Sequence, residues 1–199
     1  MNNRFQTAAS ALRFIFFGQI LTVFSMFAPL FGFAGSLFIL YGIFKARTSN
    51  KNFERAFMMM LTNILISLAL PLINLIPADT LMNMREFMTI LVLLVTAASS
   101  VIAFFQNYFI IKGTIDFLEE LREEEIIRKG VLVWKLLIVL MVVNLVLPLL
   151  LFSGIAQNVL NAVAVFISVY NIVVVVLFLI FIYKSFNVIA NADENIINI

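Results

Sequence analysis

The chain alternates long apolar stretches with short polar ones, and the breaks between them predict its elements. Residues 14–44, between Arg13 and Lys45, carry no charge. Ala28-Pro29 falls near the middle of that stretch. Proline suits the first turn of a helix, where no backbone donor is needed, so the pattern predicts two helices at about 7–27 and 29–46 joined by a tight turn. The alternative is one long, tilted, Pro-kinked helix. TSNKNFER at 48–55 is a polar loop before a third helix at about 56–76, and PADTLMNMRE at 77–86 is the next turn. Further helices are expected at 87–111, 131–152 and 159–183, followed by a polar, Asn-rich tail that frays or forms a short surface helix. A span needs roughly 20 mostly apolar residues to cross a ~30 Å hydrocarbon core. The expected fold class is therefore all-α: a single polytopic transmembrane bundle of six helices arranged as three hairpins.

The segment 112–130, KGTIDFLEELREEEIIRKG, breaks this pattern. It holds ten charged residues, among them six of the chain's eleven acids. It reads as a solvated helix continuing from the fourth span and fixes one side of the membrane. Lys112–Asp116, Glu124–Arg128 and Glu125–Lys129 are i,i+4 pairs of opposite sign, each worth a few tenths of a kcal/mol, roughly. Ile111, Ile115, Leu118, Leu121 and Ile126 form an apolar stripe suited to docking on the bundle or on a partner.

Composition agrees with the membrane class. Mean hydropathy is +1.10, hydrophobic residues make up 63% and charged residues 12%, against about a quarter charged in soluble domains. The chain has no cysteine and no histidine, which removes disulfides and thiolate metal sites. A net charge of +2 is too small to argue for nucleic acid. Ten of the 22 phenylalanines precede Lys45, and they read as lipid-facing and helix-packing bulk.

Charge placement orients the six spans. With both termini and the loops at 46–55 and 112–130 on one side, that side receives every Lys and Arg except Arg85, twelve of the thirteen. It is therefore the cytoplasmic side. Tyr41, Tyr108, Trp134 and Tyr183 fall near the same ends, where amphipathic rings prefer to sit. Five spans with a kinked first helix would strand Arg4 and Arg13 outside. The N-terminus resembles a signal peptide, but its apolar stretch runs on to Lys45 and is expected to be retained. Pro29, Pro71 with Pro77, and Pro148 mark a threefold pattern of distal turns, a parallel repeat.

Catalytic chemistry finds no support in the residues. Glu123-Glu124 followed by Arg128 resembles the EExxxR element of the CAAX-type membrane proteases, yet that family also needs histidines on later helices and this chain has none. No acid lies within a proposed span, so an aspartyl dyad or proton relay has no members. The expectation is a protein that is not an enzyme and carries no cofactor site.

Amides within the apolar stretches are the remaining polar groups. Gln19, Asn63, Asn74, Gln106, Asn107, Asn144, Asn161 and Asn171 should point away from lipid, since an amide facing hydrocarbon leaves its donors unpaired. Asn144, Tyr170 and Asn171 are the candidate lining of a neutral-solute site between the fifth and sixth helices; packing hydrogen bonds are the other reading. Ala28, Gly32 and Ser36, with Gly35 and Gly42 beside them, form a small-residue row that allows close helix approach. Ser99 with Ala103, and Ala164 with Ser168, repeat the spacing.

FAPLFGFAGSLFILYGIFKA and YFIIKGTIDFLEELREEE together resemble small bacterial integral membrane proteins with three hairpins, a family of unknown function; the likeness spans most of the chain. Size and span count also resemble the substrate-binding subunits of energy-coupling-factor vitamin transporters. Those usually show an AxxxA motif on their first helix, where this chain has Ala8, Ala9 and Ala11 but no such pair. The functional expectation is a non-catalytic multi-pass protein of the bacterial cytoplasmic membrane, acting through a membrane or cytoplasmic protein partner or a second copy. Glu119, Glu120, Glu123, Glu124, Glu125 and Arg128 would form its docking helix. The alternative is a small-solute binding or transport subunit.

Overall fold

A computed structural model describes residues 3–73, 85–150 and 157–197. They form six α-helices: α1 (Asn3–Val23), α2 (Pro29–Ala46), α3 (Lys51–Ile73), α4 (Arg85–Glu120), α5 (Glu124–Leu150) and α6 (Gln157–Ile197). There is no strand among the described residues. Each helix packs against the next in the chain, and α6 closes the ring against α1. Among the described residues four helical segments are long and apolar enough to cross a membrane: Pro29–Ala46, Phe87–Glu120, Glu124–Leu147 and Asn161–Ala192. They are compatible with an integral membrane protein. Six spans were expected; α1, with Arg4 and Arg13, and α3, with Lys51, Glu54 and Arg55, are not among the four. Most of the turn expected at 77–86 lies outside the described residues, as does most of the one at 153–158; Arg85 and Glu86 already belong to α4.

Residues 3–46 form two helices packed side by side, not one kinked rod. A 3-10 turn, Phe24–Met26, ends α1, and Ala28 is extended, with φ −154° and ψ 126°, just before Pro29 opens α2. The two helices run antiparallel at very close range. A Cβ on Gly18 would lie 2.7 Å from the carbonyl oxygen of Gly35, and one on Gly42 would lie 2.7 Å from that of Ala11. Gly35 and Gly42 therefore carry the contact with α1. Ser36 is exposed and its hydroxyl donates to the Gly32 carbonyl at 2.9 Å, so the expected row of Ala28, Gly32 and Ser36 is not the seam.

The core sits at the charged end of the ring. Leu12 and Ile15 of α1, Ile43 of α2, Phe53 of α3, Phe117 and Leu118 of α4, and Phe181 and Ile182 of α6 are fully buried there. Away from that end large apolar side chains are open: Phe27 is 81% exposed, Leu30 74% and Phe166 73%. Water drives apolar burial, whereas lipid tails are as apolar as the side chains themselves. Apart from the α1–α2 seam, the large buried side chains gather where the helices meet the charged segment.

Two stretches differ from the expected pattern. The segment 112–130 is not one helix. α4 runs to Glu120, the chain turns at Leu121–Glu123, and α5 begins at Glu124. The turn is a Schellman cap: the Arg122 amide donates to the Glu119 carbonyl at 3.1 Å and the Glu123 amide to that of Leu118 at 3.0 Å, with Arg122 left-handed at φ 60°. The tail is not frayed at 184–197. It continues α6, because Phe178, Phe181, Ile182, Ser185 and Ile189 recur on one buried face and hold it to the bundle.

Candidate functional site

The acidic turn between α4 and α5 is held from two sides. Asn50 caps α3, its Oδ1 accepting the Asn52 amide at 2.6 Å. The side-chain amides of Asn50 and Asn52 both donate to Asp116 Oδ2, at 2.9 and 2.7 Å, and Lys112 Nζ lies 3.5 Å from Asp116 Oδ1. The loop between α2 and α3 is thus tied to the last turns of α4. Arg4 adds a second tie: its Nε donates to the Ser49 carbonyl at 2.9 Å, its guanidinium pairs with Glu120 at 3.2 Å, and the same group sits 4.8 Å over the Phe117 ring.

Two glycines let other helices close on this region. Gly113 in α4 faces the Phe53 ring of α3, and Gly130 in α5 faces the Phe181 ring of α6; a Cβ on either would lie under 3.0 Å from ring carbons. Ile111, Ile115, Leu118 and Ile126 are buried and Leu121 packs against them, so the apolar stripe docks on the protein's own bundle.

The acids themselves remain outside. Glu119, Glu120, Glu124 and Glu125 are exposed and Glu123 is half-buried. The three i,i+4 pairs form as the spacing predicts: Lys112 with Asp116, Arg128 with Glu124 at 3.3 Å, and Lys129 with Glu125. Such exposed pairs stabilise by at most about 1 kcal/mol each. Among the described residues, Glu119 and Glu123 have no cation within ion-pair distance.

The amides proposed as a solute site are split among different neighbours. Tyr170 donates from Oη to the Leu136 carbonyl of α5 at 3.0 Å. Asn171, the next residue, is turned about 100° around the helix and lines a cleft of about 330 Å³ between α6 and α1. Gln19 and Thr22 of α1 and Ser25 of the 3-10 turn supply the polar side of that cleft, and Val175 and Leu179 of α6 its apolar side. Thr22 donates to its own helix at Gly18. Asn144 is half-buried on α5 and does not line this cleft. Of the other amides, Gln106 is buried on α4, while the Oδ1 atoms of Asn63 and Asn107 are buried without a hydrogen-bond partner. Asn74 lies outside the described residues. Ala164 and Ser168 are exposed, and Ser99 and Ala103 half-buried.

The spacing predicts Lys112 as a partner of Asp116, but not the side-chain amides of Asn50 and Asn52 that reach it from the start of α3. The available signal was Asn-Lys-Asn just before an apolar run, a helix N-terminus signature. Arg4 gave no local signal, since its partners are 45 and 116 positions away. Among the described residues no group of three or more metal-ligating side chains comes together. Compared with known proteins, the chain matches no family model, no curated protein and no solved structure.

Proposed function

We propose that this is a non-catalytic multi-pass protein of the bacterial cytoplasmic membrane, with six spans as three hairpins and both termini cytoplasmic, that acts by docking a partner on the acidic turn between α4 and α5. The observation carrying this reading is the contrast within that turn. Its backbone is fixed by the Schellman cap and by the Arg4 and Asp116 ties, while Glu119 and Glu123 have no ion-pair partner among the described residues. A rigid, incompletely neutralised acidic surface suits a basic segment of a membrane or cytoplasmic protein, since charge complementarity sets specificity and on-rate. The test replaces Glu119, Glu120, Glu123, Glu124 and Glu125 by Gln. A stoichiometric partner that co-purifies with the wild type at low salt should be lost from a variant of unchanged helicity. Undiminished partner recovery by that folded variant would overturn the reading.

A second reading is a small-solute binding or transport subunit, favoured by the cleft that Gln19 and Asn171 share. Amides and hydroxyls along one side of a largely apolar cleft suit a neutral solute with hydrogen-bonding groups. Asn171→Leu with Gln19→Leu should abolish solute retention in a folded protein; retention unchanged in that variant removes this reading.

A further inference from the structure

A second polar feature lies at the charged end, on the other side of the Asn50 knot. Where α2 passes into α3, a cavity of about 630 Å³ is lined by Arg47, Thr48, Ser49 and Lys51, with Glu54 as its one acid. Arg47 is exposed, yet it is held in place by rings from both helices: its guanidinium lies 4.0 Å from the Phe44 centroid and 5.3 Å from that of Phe57. Those rings are 5.8 Å apart. Stacking of this kind orients a guanidinium without neutralising it. The side chains of Arg47 and Lys51 have no ion-pair partner among the described residues, in contrast to Arg4, Lys112, Arg128 and Lys129. Directly beside this polar mouth the surface turns apolar, with Phe44 46% and Met58 57% exposed.

Two cations against one acid, two hydroxyls and an adjoining exposed apolar strip match an amphiphile with an anionic head. We propose that this cavity binds the phosphodiester headgroup of an anionic phospholipid, with Arg47 and Lys51 as countercharges, Thr48 and Ser49 as hydroxyl donors, and an acyl chain along Phe44, Phe57 and Met58. Basic pockets between helices at the cytoplasmic face of a membrane are suited to such heads. The inference rests on the membrane reading and not on the acidic turn, so it stands or falls separately from partner docking.

The test uses the full chain in nanodiscs of mixed phosphatidylglycerol and phosphatidylcholine, with lipids retained on gentle release counted by native mass spectrometry. The wild type should retain phosphatidylglycerol about fivefold over its share, the effect of one net charge at a membrane surface. Arg47→Gln with Lys51→Gln should abolish the preference, each single change should reduce it, and Glu54→Gln should raise it. Circular dichroism checks that each variant is folded. A wild type without preference, or a folded double variant that keeps it, would overturn the proposal. An equal loss in the charge-matched Arg128→Gln, Lys129→Gln variant would reduce the effect to general surface charge and also overturn it. Displacement of the lipid by inorganic phosphate alone would reassign the cavity to the free anion.

Discussion

The Phe181 ring occupies the space that a side chain on Gly130 would need: a Cβ there would lie 2.7 Å from ring Cε2 and 2.9 Å from Cζ. Phe181 is fully buried, so its ring has little room to retreat. Overpacking of this kind costs about 1–3 kcal/mol, against a gain of about 1 kcal/mol for Ala over Gly in a helix. Gly130→Ala should therefore destabilise by about 1 kcal/mol, and Gly130→Ala with Phe181→Leu by less than the sum of the two single changes. Unfolding by SDS titration in mixed micelles measures both.

At the α1–α2 seam the obstacle is backbone, which cannot rotate away. A Cβ on Gly18 meets the Gly35 carbonyl oxygen at 2.7 Å, and one on Gly35 meets that of Gly18 at 2.6 Å. Gly18→Ala or Gly35→Ala must push the helices apart, and should cost about 2–3 kcal/mol by the same overpacking estimate. Gly32 is the internal control. Its nearest neighbour is Ser25 Cβ at 3.0 Å, a milder crowding than the carbonyl contacts, and Gly32→Ala should cost clearly less than either seam change in the same titration.

Asp116 accepts two amides through one oxygen, so its removal strands two donors. Asp116→Ala should cost about 2 kcal/mol, near the middle of the range for hydrogen bonds to a charged group. The side chain is 26% exposed, which lets water replace part of what is lost. Asn52→Ala removes one of the same bonds, so the two changes should couple by about 1 kcal/mol in a double-mutant cycle. Additive effects would mean that the 2.7 Å contact contributes nothing.

The helices were legible because their apolar lengths and prolines act locally: Pro29 opens α2 where its fixed φ predicts, and the i,i+4 charge pairs follow from helix geometry alone. The turn at Leu121–Glu123 was hidden because LREEE consists of strong helix formers, with no Gly or Asn to mark a left-handed residue. The docked tail was hidden by its composition: the polar run of Asn187, Asn191 and the acids that follow obscured the buried row of Ser185, Phe186 and Ile189. Asn144, Tyr170 and Asn171 are a different case: adjacent helical positions face different neighbours, Tyr170 toward α5 and Asn171 toward the cleft with α1, and sequence does not say which neighbour stands where.

Arg122 lets the acidic turn be tested apart from its charge. Its φ of 60° costs an L-residue with a Cβ about 1 kcal/mol relative to a right-handed conformation, a cost that glycine escapes. Its side chain is exposed and makes no ion pair among the described residues. Arg122→Gly should therefore keep the Schellman turn and change stability by no more than about 1 kcal/mol in the favourable direction. Arg122→Val, with a branched Cβ that fits this region poorly, should lose about 1 kcal/mol or more. If the geometry of the turn is what presents Glu119 and Glu123, partner recovery should survive Arg122→Gly, which removes a positive charge from an acidic surface, and fall with Arg122→Val. Equal recovery by both variants, with both folded, would mean that the turn's backbone has no part in docking and that charge alone recruits the partner.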